Sequence, residues 1–182
     1  GLIKNLTVVN AEVYGHYKAA VIVADGLCSR VEGCTVDNCV VVSTPYNNND
    51  ANNVGAIVGY LSAEPTAYVK NCTVTNTQVT AYRKVGGVVG AANRAAEVSG
   101  NYVKSTIITA DMTAEYSEDK PADIGSVVGW KHADAVVKDN TPVSGPNTAN
   151  VNAGKVFVEV KDGNDIQEHS GLAVVDPEGE EL

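Results

Sequence analysis

A block of eleven residues occurs five times along the chain without gaps, and this repetition limits the possible folds more than any other feature. The blocks begin at Ile3, Val31, Val69, Val98 and Val137. In each block an aliphatic residue is followed two positions later by a turn former, and a second turn former comes five positions after the first. Turn formers this close together predict strands too short for a hairpin ladder, which pair instead with their copies in neighbouring blocks.

A second apolar element recurs between the blocks and is bounded by glycine. It reads Gly-Ala-Ile-Val-Gly at 55–59, Gly-Gly-Val-Val-Gly at 86–90 and Gly-Ser-Val-Val-Gly at 125–129, with a divergent first copy, Ala-Val-Ile-Val-Ala, at 20–24. Block starts lie 28, 38, 29 and 39 residues apart (3 to 31, 31 to 69, 69 to 98, 98 to 137), so two coils carry insertions. We therefore predict an all-β fold, a parallel β-solenoid of about five short coils whose equivalent residues stack about 4.8 Å apart.

The repeat pattern ends near Pro142, and the residues after it have a different character. An alternating apolar segment follows at 155–161, and the stretch 176–181 is mostly acidic. Because the open end of a stack exposes unpaired strand edges, we predict a solenoid domain over residues 1–147 and a C-terminal cap or linker over residues 148–182. The chain begins inside the block pattern, which favours a segment of a longer protein.

Stacking predicts ladders of like side chains. Asn101 over Asn140 is expected to form a buried amide ladder in which each side chain satisfies its neighbour, and Cys34 is expected over Cys72. The spacing of the four cysteines does not fit a zinc site. A disulfide among Cys28, Cys34 and Cys39 stays open, although small apolar Cys side chains favour buried free thiols.

The charge and the motifs argue against several function classes. A net charge of −9, with only Arg30, Arg83 and Arg94 as arginines, argues against nucleic-acid binding. No apolar run reaches the roughly 20 residues that cross a bilayer, so we expect no membrane insertion. No helical pattern follows the glycine elements, which argues against a phosphate cradle, and we expect no cofactor and no metal.

Catalytic constellations are also difficult to assemble from this sequence. Paired carboxylates would have to lie at one level of the solenoid, but Asp25, Asp37 and Asp134 occupy different columns of the repeat. The histidines, His16, His132 and His169, likewise fall at unrelated positions. We therefore predict a non-catalytic protein and keep a β-helix carbohydrate-active enzyme as the least favoured alternative.

The two insertions are the most informative places for a binding function. They span residues 43–53 and 110–123 and fall at the same place in alternate coils, so we expect them to leave the same side of the solenoid. Loops on a rigid scaffold often carry binding residues, and tyrosine offers an apolar face with a polar tip. Tyr46, Tyr82 and Tyr116 are the predicted ligand-binding patch. The alternative is that both long loops are tolerated without a binding function, because insertion costs little. The acidic loop is then expected to be solvated, which we favour over a calcium site.

The repeat resembles a known family. The segment Val-Lys-Asn-Cys-Thr-Val-Thr-Asn at 69–76, followed by Gly-Gly-Val-Val-Gly at 86–90, is similar to the GLUG repeat. The resemblance covers residues 3–147, although the first copy lacks the glycines and the fifth lacks its valine. It implies a β-solenoid displayed by a large bacterial cell-surface or adhesin-like protein, and it carries no catalytic residues.

Two functions follow from these observations. The first is an extracellular or cell-surface module that binds a host or matrix glycan or protein. The alternative is a structural spacer that extends a larger surface protein. An aligned aromatic patch would favour the first, and a featureless polar surface would favour the second.

Overall fold

A computed structural model describes residues 1–44, 53–62, 67–112, 122–143, 154–162 and 165–170. Within these ranges the chain is all-β: it contains strands, turns and bends but no helix. Consequently no helix in the described part of the chain could span a membrane. The strands are short because turn formers interrupt the chain every few residues, as the sequence pattern predicts.

The strands fall into repeats of five. Repeat 1 comprises β1 (Leu2–Lys4), β2 (Thr7–Val9), β3 (Glu12–Gly15), β4 (Lys18–Ala19) and β5 (Val23–Leu27). Repeat 2 comprises β6 (Arg30–Glu32), β7 (Thr35–Asp37), β8 (Val40–Ser43), β9 (Asn53–Gly55) and β10 (Val58–Ser62). Repeat 3 comprises β11 (Tyr68–Lys70), β12 (Thr73–Thr75), β13 (Gln78–Ala81), β14 (Lys84–Gly86) and β15 (Val89–Asn93). Repeat 4 comprises β16 (Glu97–Ser99), β17 (Tyr102–Lys104), β18 (Thr106–Met112), β19 (Asp123–Gly125) and β20 (Val128–Lys131). The remaining strands are β21 (Val136–Lys138), β22 (Gly154–Val160) and β23 (Ile166–Ser170).

Each strand of repeats 1 to 3 pairs in parallel with the strand five places later, as does β16 with β21, so the repeats lie on one another in five sheets. Sheet A has the order β1-β6-β11-β16-β21, sheet B the order β2-β7-β12-β17, and sheet D the order β4-β9-β14-β19. Sheet C runs β3-β8-β13-β18-β22-β23, and sheet E runs β5-β10-β15-β20. In sheet A the block starts are direct partners, from Ile3 and Val31 through to Val98 and Val137. The register predicted from the eleven-residue blocks is confirmed.

Sheets A, B and C each contribute one inward residue per strand to the core, and residues of sheets D and E, such as Val54, Val58 and Leu61, complete it. Side chains alternate between the two faces of a strand, so only one position in a three-residue strand points inwards. The inward residues of repeats 2 to 4 are β-branched and fully buried at 0% exposure: Val31, Val36, Val41, Val69, Val74, Val79, Val98, Val103 and Ile108. Their copies in repeat 1, Ile3, Val8 and Val13, are only partly buried because no repeat lies beneath them.

The turn columns hold the left-handed backbone that the sequence predicts. Positive φ values at the turns are tolerated by Asn and Gly, because asparagine stabilises this conformation locally and glycine has no Cβ. The residues concerned are Asn5 (55°), Asn10 (56°), Gly33 (61°), Asn38 (50°), Asn71 (54°), Asn76 (50°), Gly100 (65°), Ser105 (49°) and Asp139 (55°).

In repeats 2 to 4 the corner after a turn carries a small polar side chain that donates a hydrogen bond to a backbone carbonyl. The thiol of Cys72 donates to the carbonyl oxygen of Lys70 at 3.3 Å, and the hydroxyl of Thr77 donates to that of Thr75 at 2.7 Å. Buried carbonyls need such a partner where a turn interrupts the strand. Cys and Thr side chains are both small and each carries one hydrogen-bond donor. Either residue can therefore occupy these columns.

In repeat 4 and after β21 the column of Cys72 holds asparagine, which also donates to a backbone carbonyl and forms the predicted ladder. The amide of Asn101 donates to Oδ1 of Asn140 at 2.9 Å and to the carbonyl oxygen of Val69 at 3.1 Å. Its own Oδ1 accepts the backbone N–H of Cys72 at 3.0 Å. Both side chains are buried, at 1% and 5% exposure. The buried amide ladder is confirmed.

The glycines of the apolar element allow sheets D and E to approach each other closely. A Cβ at Gly90 would lie 2.2 Å from the backbone nitrogen of Val54, in the repeat below, and one at Gly129 would lie 2.6 Å from the backbone of Val85. Ala24 occupies this column in repeat 1, where β4 and β5 are the edge strands of sheets D and E.

The C-terminal strands change direction. β22 pairs antiparallel with β18, and β23 pairs antiparallel with β22. Val158 and Val160 of β22 are buried in the core, at 4% and 0% exposure. The alternating segment of the sequence thus adds one strand, β22, to sheet C, and β23 adds a second.

Candidate functional site

The structure describes one of the three tyrosines predicted to bind a ligand. Tyr82 follows β13 and is buried, with 5% of its surface exposed. Burial raises the pKa of its hydroxyl above the usual value of 10.0. Tyr46 and Tyr116 lie outside the described residues, so the patch of three tyrosines stays a prediction.

A different set of aromatic residues lies where sheets D and E meet. The first position of the sheet D strands holds Lys18, Asn53, Lys84 and Asp123, which are register partners in successive repeats. The third position of the sheet E strands holds Asp25, Tyr60, Ala91 and Trp130, again in register. Contacts between the two columns show that they lie side by side. We call these eight residues the D–E face.

Repeats 1 and 2 form the first contact across this face. The ammonium of Lys18 lies 4.5 Å from the centre of the Tyr60 ring and 2.7 Å from a carboxylate oxygen of Asp25. The ring of Tyr17 is 5.2 Å from the same ammonium. The amide of Asn93 in repeat 3 donates to the Tyr60 hydroxyl at 2.7 Å. The ring of Tyr60 is therefore held in place at both its face and its tip.

Repeats 3 and 4 form the second contact, in the same columns. The ammonium of Lys84 lies 4.1 Å from the centre of the Trp130 ring. Trp130 also meets the imidazole of His132 edge to face, with ring centres 6.3 Å apart. Both Lys84 and Trp130 are half-buried, as is Tyr60. Part of each aromatic ring is therefore open to solvent.

Burial shifts the pKa values of the two charged residues that repeats 3 and 4 contribute to this face, Lys84 and Asp123. Burial removes water from the ammonium of Lys84 and lowers its pKa below 10.5. The charge of Asp123 opposes this shift, and the charge of Arg83 adds to it. Loss of water likewise raises the pKa of Asp123 above 3.8, against the opposing effect of Lys84 and Arg83. Within the described part of the chain, no ion pair involves Lys84. Its ammonium is thus available to donate hydrogen bonds to a ligand.

Ala91 separates the two aromatic rings in the sheet E column. It is the register partner of both Tyr60 and Trp130 and is fully buried, at 0% exposure. The surrounding side chains therefore cover this position, and the half-buried rings on either side of it are the parts of the column that reach the surface.

A similar cation and ring occur on another side of the molecule, in a different setting. On sheet A the ammonium of Lys70 lies 4.8 Å from the centre of the Tyr68 ring. Lys70 also forms an ion pair with Glu97, which accepts a hydrogen bond from Ser99 at 3.0 Å. The pKa of Glu97 is lowered, chiefly by its hydrogen bond with Lys70. This cation is compensated by a neighbouring carboxylate.

The residues considered for catalysis are distributed over separate surfaces. Asp37 lies on sheet B, where hydrogen bonds from Thr75 and Asn76 lower its pKa. His16 contacts Thr44, and His132 contacts Asp134. The side chain of His169 lies outside the described residues. In the described ranges, no three His, Cys, Asp or Glu side chains are grouped as metal ligands.

Sequence reasoning missed the D–E face, although a signal was present. Tyr60, Ala91 and Trp130 each follow the second glycine of their apolar element. Extending the repeat column by one residue beyond that glycine would have aligned the two aromatic residues. The lysines lie two residues before the first glycine, at Lys84 and, in the divergent first copy, two before Ala20.

Comparisons of the chain with protein-family models, with curated proteins and with solved structures return no match.

Proposed function

We propose that this chain is a parallel β-solenoid of the GLUG-repeat type that acts outside the cell, or on its surface, as a non-catalytic binding module. The observation that carries the proposal is the D–E face, where two half-buried aromatic rings and two lysines recur in register. Its partner is a host or matrix glycan or protein.

The solenoid assignment is supported by the pairing scheme. A chain whose strands pair in parallel with the strand five places later must return to the same position once in every repeat. Each repeat contacts its neighbours through the same five sheets, as expected for a stacked repeat protein. The eleven-residue block and the glycine element that resemble the GLUG repeat correspond to sheets A to C and to sheets D and E.

A binding role is supported by the chemistry of the D–E face. Tyr and Trp combine large apolar area with a hydrogen-bonding tip, which is why they are enriched at recognition surfaces. Scattered exposed apolar residues need no explanation, but two rings held by lysines in one column do. The insertions of the sequence also precede β9 and β19, in the two repeats that supply these rings.

The test is binding of the labelled, folded chain to an array of glycans and extracellular host proteins, at physiological salt with and without calcium. We expect a specific ligand whose binding is weakened by Tyr60→Ala and by Trp130→Ala. Tyr68→Ala is the matched control, because Tyr68 also contacts a lysine but lies on sheet A. Tyr46→Ala and Tyr116→Ala test whether the tyrosines predicted from the insertions belong to the same site.

A structural spacer is the second candidate, and one observation favours it. All five strands of repeat 1 lie at the edges of their sheets, and Leu2, Leu6 and Val9 are 50%, 42% and 53% exposed beside these edges. An edge of this kind can continue a stack. A folded chain that binds nothing on the array would favour the spacer over the binding module.

A further inference from the structure

The residues of the D–E face alternate with a period of two repeats. Repeats 1 and 3 supply the lysines, Lys18 and Lys84, and repeats 2 and 4 supply the aromatic rings, Tyr60 and Trp130. The block spacing of 28, 38, 29 and 39 residues alternates in the same way. The D–E face is therefore built from two pairs of repeats, repeats 1 and 2 and repeats 3 and 4, which we call its two units.

This period sets a distance along the molecule. Neighbouring strands in a sheet lie about 4.8 Å apart, so Tyr60 and Trp130, which are two strands apart in sheet E, are separated by about 9.6 Å along the stack. Lys18 and Lys84 are separated by the same two steps in sheet D. A ligand that contacts both units must repeat its own chemistry at this distance.

An extended polysaccharide has this property. In a glycan whose sugars are joined by 1,4-linkages that are equatorial at both carbons, each sugar is flipped relative to its neighbour, so the same ring face recurs at every second sugar. Two sugars of such a chain span roughly the distance between alternate strands of a sheet. A helical glycan of the same sugars turns its faces progressively and cannot present one face to both units.

The chemistry of each unit also fits a neutral sugar. An aromatic ring stacks on the apolar face of a sugar, and ammonium and amide groups donate to its hydroxyls. Lys84 forms no ion pair in the described part of the chain, and Asn93 is fixed beside the Tyr60 hydroxyl. The net charge of −9 opposes the approach of a polyanion, whereas it does not oppose a neutral glycan.

We infer that the D–E face binds an extended neutral polysaccharide lying parallel to the stacking direction, with alternate sugars on Tyr60 and Trp130. This inference rests on the proposed binding function and narrows it to one class of ligand. Because two subsites act on one ligand, the second contact is made at high effective concentration once the first has formed.

The first experiment compares glycans on the unmodified chain by titration calorimetry. The extended probes are the hexasaccharides of glucose, N-acetylglucosamine, mannose and xylose with equatorial linkages, together with their disaccharides. Maltohexaose, a helical hexamer of glucose, is the matched control for cellohexaose. We expect at least one extended hexasaccharide to bind about tenfold or more tightly than its own disaccharide, and maltohexaose to bind no better than maltose.

The second experiment removes one subsite at a time. Tyr60→Ala and Trp130→Ala should each reduce the affinity for the bound hexasaccharide to about that of its disaccharide, and the double variant should abolish binding. Tyr68→Ala on sheet A should leave the affinity unchanged. Thermal unfolding of each variant is measured beside binding, so that loss of the fold is distinguished from loss of a subsite.

The outcomes separate this inference from the broader proposal. If the array identifies a protein, a helical glycan or a polyanion, the chain is a binding module but the inference about an extended neutral glycan is wrong. If hexasaccharide and disaccharide bind equally, the two units do not act on one ligand, and the inference is again overturned. If the folded chain binds nothing on the array, the proposed binding function itself fails.

Discussion

The ammonium of Lys84 lies 4.1 Å from the centre of the Trp130 ring, across the boundary between repeats 3 and 4. A cation over an aromatic face gains about 0.5–2 kcal/mol. The same surroundings remove water from the ammonium, and its pKa is lowered for that reason. A lowered lysine pKa means that the folded protein disfavours the charged form more than the unfolded chain does. The charge at this position therefore costs stability.

We predict that Lys84→Met stabilises the fold at pH 7, by roughly 1 kcal/mol or less. Methionine keeps the apolar stem over Trp130 and removes the buried charge. Between the lowered pKa of Lys84 and its ordinary value of 10.5, the unfolded chain binds more protons than the folded chain. The stability of the unmodified protein therefore rises with pH through this interval. The advantage of the variant should shrink as pH rises towards 10.5, as measured by urea unfolding at a series of pH values.

Lys104 provides the control for this prediction. It is paired with Asp162 at 3.0 Å, and that hydrogen bond raises its pKa, the opposite direction from Lys84. Lys104→Met should therefore not stabilise the fold at pH 7. Equal stabilisation by both variants would contradict the assignment of the effect to burial of the Lys84 ammonium.

We predict that Gly90→Ala destabilises the fold by more than about 3 kcal/mol. The added Cβ would lie 2.2 Å from the backbone nitrogen of Val54 and 2.6 Å from the carbonyl oxygen of Gly59, neither of which can move as a flexible side chain does. The matched change is Ala24→Gly in the same column, which should cost less than about 1 kcal/mol because only backbone entropy changes. Denaturant unfolding of the two variants measures the difference, and a small effect of Gly90→Ala would show that sheets D and E can separate.

We predict that Asn101→Leu costs about 2–4 kcal/mol, because it leaves several buried groups without hydrogen bonds. The N–H of Cys72 and the carbonyl oxygen of Val69 both lose their partner. Asn101→Cys should cost markedly less, since cysteine occupies this column in the repeat below and its thiol can serve the corner. The comparison is made by chemical unfolding. If Asn101→Leu lowers the free energy of unfolding no more than Asn101→Cys does, this column requires a side chain of a certain size and not a hydrogen bond.

We predict that Cys72 is unreactive towards iodoacetamide in the folded protein at pH 8. Burial raises the pKa of its thiol to about 12, and the thiolate is the form that reacts. Cys34 and Cys39 are also buried, whereas Cys28 is half-buried. Brief labelling followed by mass spectrometry should modify Cys28 first, and all four cysteines should react in denaturant. Labelling of Cys72 at the rate of Cys28 would show that the corner opens readily.

Much of the fold could be predicted because the repeat has a strict register. Once Val31, Val69 and Val98 are aligned as block starts, parallel pairing puts every later residue of the block in a ladder, and the ladder of Asn101 and Asn140 follows. The antiparallel pairing of β22 with β18 was not predicted, because the alternation at 155–161 indicates a strand but not its partner. The sequence also does not explain why Cys, Thr and Asn replace one another at the corners. The structure explains it, because each of these side chains donates a hydrogen bond to a backbone carbonyl.

The candidate site was less predictable for a physical reason. Tyr82 was predicted to form a patch with Tyr46 and Tyr116, but Tyr82 is buried, at 5% exposure. Whether a side chain near a corner points outwards depends on the local bend, which composition does not encode.

The sequence by itself determined the length of the repeat, the positions of the turns, the inward valines and the register of the ladders, because these depend on local preferences repeated at a constant interval. Only the tertiary structure decided which columns meet across the boundary between sheets. Lys84 and Trp130 are 46 residues apart in the chain (130 − 84), and no local preference connects them. They meet because glycine lets sheet E lie against the backbone of sheet D, which brings the two columns side by side.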